Sequence, residues 1–341
     1  MKAALVNGKI IVKYKMDGDE FMLIKKAVVQ QEHTAAKKGI WRAVKKDFSN
    51  CKYLYLMAIP VIAYYIIFHY LPMYGVSIAF KQYSIADGIL GSPWVGFKYF
   101  KEFFSSIYFE RVMKNTLIIS FYDLLVGFPM PIIFALLMNE LRNVKFKKTV
   151  QTITYLPHFI SMVVICGIIQ DFFSSSGVVT SLIAFFGGPR INYVGSNDSF
   201  RHIYVWTNLW QTIGWNSIVY LAALTGVDQQ LYEAATIDGA GKFKQVIHVT
   251  IPGIASTVIV MLIMKIGKVL SVGHEKIILL YSPATYETAD IISSFVYRRG
   301  LGENMQYSYS TAVGLFQAVV NLILILTANK LSKKFTDMGL F

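Results

Sequence analysis

Long apolar runs without charge recur along the chain and predict its main elements. No Asp, Glu, Lys or Arg lies within 53–80, 149–170, 202–227 or 304–329. A membrane-spanning helix needs about 20 such residues, so each run is long enough to cross a bilayer. Two less uniform runs, one carrying Asp123, complete the set. We therefore predict an all-α integral membrane protein with six transmembrane helices, near 54–80, 115–138, 150–172, 203–224, 253–280 and 311–329.

Composition supports this class over a soluble one. Of the 341 residues, 55% are hydrophobic and 16% are charged, whereas soluble domains have about 25% charged residues. A soluble α-helical domain would need six over-long helices without a polar stripe. A disordered polycation would lack the apolar content.

The charged residues are sorted to one side of the predicted membrane. Assigning 1–52, 139–150, 225–252 and 330–341 to that side gives it 21 Lys and Arg, against 9 in the opposite loops. The positive-inside rule makes the richer side cytoplasmic, so both termini are predicted to be cytoplasmic. The net charge of +13 is then a mark of orientation, and no nucleic-acid partner is expected.

The first 50 residues carry charges throughout and no apolar core of a signal peptide. We interpret 1–50 as a cytoplasmic tail, with a helix within 37–50, and 51–341 as the six-span domain. The first outer loop is rich in aromatic residues, which predicts short helices lying at the membrane interface. The segment 178–186 is too short to span and is expected at the outer surface.

One cytoplasmic loop, 225–252, has signals for two short helices. Asp228 is suited to cap a helix over 229–237 by accepting hydrogen bonds from its free N–H groups. Gly239 is suited to end that helix in the left-handed conformation. A second helix is predicted over 242–249, before the next span.

The same loop carries Glu-Ala-Ala, three residues, Gly, nine residues and then apolar-x-apolar-Pro. The positions are Glu233, Ala234, Ala235, Gly239 and Pro252. This pattern resembles the cytoplasmic motif of permease subunits in ATP-binding-cassette (ABC) importers. The Asp238-Gly239-Ala240 form resembles the maltose-type sugar branch. Other segments resemble the subgroup that imports complex oligosaccharides and polysaccharide fragments; they include 69–75, 94–97, 155–157 and 210–215.

The resemblance covers about 50–341 and implies a type I ABC importer permease fold and a transport subunit that is not an enzyme. It implies that 225–252 holds the coupling helix, which sits in a cleft of an ATPase subunit. There Glu233 would face a basic residue of the ATPase, and Gly239 would set the bend. The implied ATPase-coupling residues are Glu233, Ala234, Ala235, Asp238, Gly239, Ala240 and Pro252.

The implied partners are a second homologous permease, two ATPase subunits and an extracytoplasmic sugar-binding protein, lipid-anchored or periplasmic. The expected location is the bacterial cytoplasmic membrane, in contact with lipid. Residues 239–242 resemble a phosphate-binding loop but lack its first Gly and its Ser or Thr after Lys. No cofactor is therefore expected on this chain, and ATP and Mg²⁺ would bind the partner ATPases.

Polar residues within the predicted spans are candidates for the substrate path. Sugars are held by hydrogen-bonding side chains and flat aromatic faces, and the fourth span carries both types. The candidates are Asn208, Gln211, Trp215, Asn216, Lys265 and Lys268. The alternative for the amides is hydrogen bonding between helices. Asp123, alone in the second span, is interpreted as meeting a basic residue of the second permease.

Lys265 and Lys268 lie one helical turn apart and favour an anionic substrate, such as a uronate-containing oligosaccharide. His274 stands where the resembling permeases more often carry a large aromatic residue. Neither a catalytic constellation nor metal-ligand spacing is found in the sequence. The alternatives to an ABC permease are an ATP-independent secondary transporter or channel, which predicts internal repeats, and, third, a membrane-embedded enzyme.

Overall fold

The computed structural model describes residues 2–6, 9–13, 51–271, 273–302, 305–336 and 339–340. The chain divides into two units, Met1–Tyr74 and Gly75–Phe341. In the first unit, the strands β1 (Lys2–Val6) and β2 (Lys9–Lys13) pair antiparallel. We did not predict these strands, although Asn-Gly between two apolar stretches is typical of a hairpin. The helix predicted within 37–50 lies outside the described residues.

The predicted first span corresponds to one helical segment. Helix α1 (Lys52–Tyr65) continues through a π-helical turn (Ile66–Tyr70) and a 3₁₀ stretch (Leu71–Phe80). Together they make 29 residues, Lys52–Phe80, long and apolar enough to cross a membrane.

The rest of the described chain is helical. In chain order the helices are α2 (Gly88–Gly91), α3 (Lys98–Phe104), α4 (Ile107–Gly127), α5 (Pro129–Glu140), α6 (Val144–Tyr155), α7 (Met162–Phe173), α8 (Val178–Phe185), α9 (Asn197–Thr225), α10 (Gln229–Ile237), α11 (Lys242–Gln245), α12 (Ile251–Gly253), α13 (Ala255–Ile266), α14 (His274–Leu280), α15 (Tyr286–Ala289), α16 (Ile292–Leu301) and α17 (Tyr307–Thr336). Short 3₁₀ and π turns lie between some of them, at Leu156–Phe159, Val246–Thr250, Val269–Ser271 and Pro283–Thr285.

Three further segments of the described chain are also long and apolar enough to cross a membrane. They are Ile107–Glu140, Met162–Phe185 and Tyr307–Lys334, and a bent pair, Lys242–Gly253 with Ala255–Ile266, adds a fifth candidate. Helix α9 has 29 residues and is about 43 Å long at 1.5 Å per residue, although it is more polar. The helical membrane architecture is confirmed, whereas the count of six spans and the cytoplasmic termini stay predictions.

Two predicted spans are broken in the structure. The span 150–172 was predicted as continuous, but α6 ends at Tyr155 and α7 begins at Met162. Pro157 lies in the break and removes a backbone donor, while Ser161 caps α7 by accepting from the Val164 N–H. The span 253–280 consists of α13, a 3₁₀ turn and α14, with a bend of 64° before α13.

The outer aromatic loop is only partly an exposed belt. Trp94 and Phe97 are exposed as predicted, but Phe103 on α3 is 1% exposed. Its ring packs edge-on against Phe109 and near Phe316 of α17. Part of the aromatic content therefore builds a core beneath α3 instead of contacting the membrane surface.

Helix α9 is central to the second unit and contacts α4, α5, α6, α13 and α15. Gly214 permits the closest approach, because a β-carbon there would lie 2.4 Å from the Thr154 carbonyl oxygen of α6. Small residues are common where membrane helices pack closely. A larger residue at this position would push α9 away from α6.

Candidate functional site

Helices α4 and α9 run in the same direction, joined by two polar contacts at different depths. At one level, the Arg201 Nη2 donates to the Asn115 Oδ1 over 2.7 Å. At the next, the Asn208 Nδ2 donates to the Asp123 Oδ1 over 3.0 Å. The two contacts are eight residues apart on α4 and seven on α9, or about 10–12 Å along the helices. The beginnings of both helices therefore lie at one face, as the predicted topology requires.

The predicted loop 225–252 folds as a hairpin of α10 and α11, which we call the coupling hairpin. The Asp228 carboxylate accepts from the Gln230 N–H over 3.0 Å, and Gly239 has a φ of 75°. Both local predictions are confirmed. The left-handed conformation lets the Ala240 N–H return to the Ala235 carbonyl over 2.8 Å, which satisfies an otherwise free carbonyl.

Three hydrogen bonds that the sequence did not indicate hold the hairpin closed. The buried Gln245 Nε2 donates to the Thr236 Oγ1 over 2.9 Å and to the Ala240 carbonyl over 3.2 Å. The Tyr232 hydroxyl lies 3.0 Å from the Thr250 Oγ1. These bonds tie α10 and the turn to the end of α11 and to the residues that follow it.

The outer surface of the coupling hairpin combines apolar and acidic groups. Ile237 is 85% exposed and Phe243 is 77% exposed. Glu233 and Ala234 are exposed, and Ala235 is half-buried. Glu233 also lines a groove of about 1070 Å³ beside the end of α5. Large exposed apolar groups on a polar loop are typical of a surface that contacts another protein.

The remaining motif residues lie at the turn and at the exit of the hairpin. Asp238 and Gly239 are exposed in the turn, where space around the Gly239 α-carbon is open. Ala240 is half-buried against Gln245, and Pro252 is exposed within α12.

A second site is an open cavity of about 380 Å³ lined by α4, α5, α9, α13 and the turn after α13; we call it the central cavity. Four of the six predicted path residues line it: Asn208, Asn216, Lys265 and Lys268. Two tyrosines from α9, Tyr204 and Tyr220, also line it. The central cavity thus offers amide and ammonium groups, which hold charged sugars, whereas both tyrosine rings are buried in the helix packing.

The other two predicted path residues point elsewhere. Gln211 is buried, and its Oε1 has no hydrogen-bond partner within the described chain. Trp215 stacks on His158 with the ring centroids 4.4 Å apart and the planes 7° apart. That stack lies against the break between α6 and α7, so Trp215 packs on the third span instead of lining the central cavity.

Asp123 is paired within this chain. Its Oδ2 lies 2.9 Å from the Lys265 Nζ, and Lys265 also donates to the Asp123 carbonyl over 3.1 Å. The sequence led us to expect that Asp123 meets a basic residue of the second permease. In the structure its carboxylate is instead paired with Lys265 of the same chain. The partner is 142 residues away in the chain, and no sequence signal linked them. A charge at membrane depth is costly unless it is paired.

Comparison with known proteins identifies the chain. Residues 127–337 match the family model described as binding-protein-dependent transport system inner membrane component. The chain is 46% identical over 291 residues to the polygalacturonan/rhamnogalacturonan transport system permease protein YteP of Bacillus subtilis, covering 85% of this chain and 90% of that protein. Protein LplB of the same organism is 46% identical over 310 residues, covering 90% and 96%.

A solved structure shows the same fold. It is a crystal structure of a bacterial alginate ABC transporter in complex with an alginate pentasaccharide-bound periplasmic protein. The match has a TM-score of 0.79 and 44% sequence identity, and it covers 86% of this chain and 99% of the matched chain. The chain is therefore a multi-pass, non-enzymatic membrane component, and it belongs to the family of permease subunits of binding-protein-dependent ABC importers.

Proposed function

We propose that this permease carries acidic oligosaccharides or polysaccharide fragments, of the uronate-containing type, into the cell across the bacterial cytoplasmic membrane. The observation that carries the proposal is the central cavity, where lysine and asparagine side chains meet among helices of one chain. The names of the similar proteins agree, since one is a polygalacturonan/rhamnogalacturonan permease and the other belongs to an alginate importer. Uronate chains are acidic, so a cationic wall would suit them.

The proposed assembly contains this chain, a second permease, two ATPase subunits and an extracytoplasmic binding protein. A binding protein is present in the solved alginate transporter complex. The exposed Ile237 and Phe243 side chains of the coupling hairpin support an ATPase contact. Burying such apolar side chains against a partner protein is favourable because it removes them from water. Glu233 beside them offers a carboxylate to a cation of the ATPase. ATP and Mg²⁺ would bind the ATPases, and this chain would transmit their closure.

Charge and topology support the orientation of this assembly. The coupling hairpin lies in the segment that the distribution of Lys and Arg places in the cytoplasm. The parallel helices α4 and α9 begin at the opposite face, with Asn115 and Arg201. Substrate released by the binding protein would meet that face first and then reach the central cavity.

The test is uptake by the whole transporter in proteoliposomes, with the binding protein supplied outside and ATP inside. We expect ATP-dependent uptake of galacturonate oligomers and little uptake of their neutral methyl esters. Preference for the neutral oligomers, or uptake of the same rate without the ATPases, would overturn the proposal.

The coupling hairpin has its own test. Glu233→Arg is expected to reduce recovery of the ATPases with this chain and to reduce uptake in parallel. Lys148→Glu is the matched control, since Lys148 is an exposed cytoplasmic residue of α6 outside the hairpin. Normal uptake by Glu233→Arg at normal expression would exclude the hairpin as the coupling element.

A further inference from the structure

We propose that the two lysines of the central cavity have different roles. Lys268 binds the carboxylate of an acidic sugar, whereas Lys265 is the structural counter-ion of Asp123 and does not discriminate substrates. The inference rests on the proposed function, because it assigns the recognition of acidic substrates to one residue of that site.

The charge of Lys265 is already balanced. Its Nζ lies 2.9 Å from the Asp123 Oδ2 and also donates to the Asp123 carbonyl. The side chain of Asp123 is 10% exposed, against 29% for that of Lys265. Two opposite charges held this close attract each other strongly in a partly buried site. A substrate carboxylate would have to displace Asp123 to reach Lys265.

Gly127 leaves the ion pair uncrowded. It lies one turn after Asp123 on α4 and lines the central cavity. A β-carbon on Gly127 would lie 3.0 Å from the Asp123 Oδ1 and 3.1 Å from the Lys265 Nζ. The absence of a side chain leaves the space in which the ammonium group enters. Lys265 is therefore accommodated by the local geometry of α4, as a structural ion pair would be.

Each carboxylate oxygen of Asp123 has a partner within this chain. Its Oδ1 accepts from the Asn208 Nδ2, and its Oδ2 contacts Lys265. The resulting triad joins α4, α9 and α13, so its loss would loosen three spans at once. This arrangement explains a structural role for Asp123, Asn208 and Lys265 without substrate.

Lys268 differs from Lys265 in its exposure and in the partners of its ammonium group. It follows the end of α13, its side chain is exposed, and it lines the same cavity. Within the described chain, its Nζ forms neither a hydrogen bond nor an ion pair, although its backbone N–H donates to the Lys265 carbonyl over 3.1 Å. The charged residues that line the central cavity are Asp123, Lys265 and Lys268. The charges of Asp123 and Lys265 cancel, and the positive charge of Lys268 remains.

This unpaired charge fits a single carboxylate well. A neighbouring group that lines the cavity is the half-buried amide of Asn216, which suits sugar hydroxyls. A carboxylate placed at Lys268 would gain a charge-assisted hydrogen bond. A neutral ester at the same place would leave the ammonium without an anion, which is the basis of discrimination.

The experiment compares acidic and methyl-esterified galacturonate oligomers in the reconstituted whole transporter. Each variant is scored by its acid-to-ester ratio of uptake divided by the wild-type ratio, because the contribution of the unchanged binding protein then cancels. For Lys268→Gln we expect this ratio to fall by about tenfold or more, the change that 1.4 kcal/mol produces. Lys268→Arg, which keeps the positive charge, should keep the preference.

The matched control removes the charges of the ion pair together. Asp123→Asn with Lys265→Gln should keep the wild-type ratio, while Lys265→Gln alone should reduce recovery of the folded complex and leave the ratio unchanged. A Lys268→Gln transporter with an unaltered ratio would overturn the inference, and so would a double variant that loses the preference. A wild-type transporter that does not prefer the acid would instead overturn the proposed function itself, and the inference with it.

Discussion

Gly273 and Tyr204 occupy adjoining space so tightly that no larger residue fits at position 273. An ideal β-carbon on Gly273 would lie 1.5 Å from the Tyr204 hydroxyl oxygen, and Gly273 has a φ of 49°. Tyr204 is 1% exposed on α9, and both residues line the central cavity. The start of α14 is thus held against the fourth span by a residue without a side chain.

We expect Gly273→Ala to destabilise the transporter. Left-handed backbone costs a residue with a β-carbon about 1–2 kcal/mol, and the buried Tyr204 ring would also have to move. The measurement is the unfolding temperature of the purified complex in detergent, together with ATP-dependent uptake. Gly167→Ala is the control, because that glycine lies within α7 with no atom within 4 Å of its ideal β-carbon. Equal unfolding temperatures for the two variants would contradict the expected strain.

Lys276 is a buried charge whose replacement should stabilise the protein. Its side chain is 1% exposed, and its Nζ has no hydrogen-bond partner within the described chain. The ammonium lies 5.8 Å from the centroid of the Tyr204 ring, a cation–π contact that offsets only part of the cost of burial. Methionine has a similar length and needs no such compensation.

We therefore expect Lys276→Met to stabilise the protein by about 1–4 kcal/mol, the range found when buried ion pairs are replaced by apolar side chains of similar volume. Thermal unfolding in detergent measures it. Lys268→Met is the comparison for stability alone, since Lys268 is exposed and its replacement should leave the unfolding temperature unchanged. A lower unfolding temperature for Lys276→Met would show that the ammonium makes a favourable contact in the assembled transporter.

The features that sequence predicts well are those fixed by nearby residues. The charge-free runs predict helices because an uncharged segment of this length is stable only in lipid or in a core. Asp228 and Gly239 take their expected conformations, since a cap and a left-handed turn depend on residues within one helical turn. The break at Pro157 carried a local signal too, but the apolar run around it hid the end of α6.

The composition of the central cavity could not be predicted in the same way. Helical spacing grouped Asn208, Gln211 and Trp215 on one stripe, but the third span packs against Trp215 and removes it from the cavity. The pairing of Asp123 with Lys265 depends on how α4 and α13 pack. Such long-range contacts follow from the complete fold, and no single span contains the information.

Asp290 holds together the predicted outer loop that follows α14, through a network of contacts to its carboxylate. A substitution that removes the negative charge should break this network. The Asp290 carboxylate is fully buried and contacts the Arg298 Nη2 at 2.6 Å and the Arg111 Nη2 at 3.3 Å. It also accepts from the Ser294 Oγ over 2.9 Å. The Arg298 guanidinium lies 4.3 Å from the centroid of the Tyr286 ring. Helices α4, α15 and α16 are thereby joined at one acid.

We expect Asp290→Asn to cost about 3–5 kcal/mol, because removing one member of a buried pair leaves the other charge uncompensated. Burial by itself lowers the pKa of Arg298, but the hydrogen bonds and charge of Asp290 outweigh it and raise that pKa above its usual value. Asp290→Asn removes this support, but a guanidinium does not deprotonate in proteins at neutral pH, so Arg298 stays charged and cannot relieve the loss. Hydrogen exchange of the amides of α15 measures the effect, and they should exchange faster in Asp290→Asn. Asp171→Asn, at an exposed acid near the end of α7, should leave that rate unchanged. Unaltered exchange in Asp290→Asn would mean that apolar packing of α15 and α16, and not the carboxylate, holds the outer loop together.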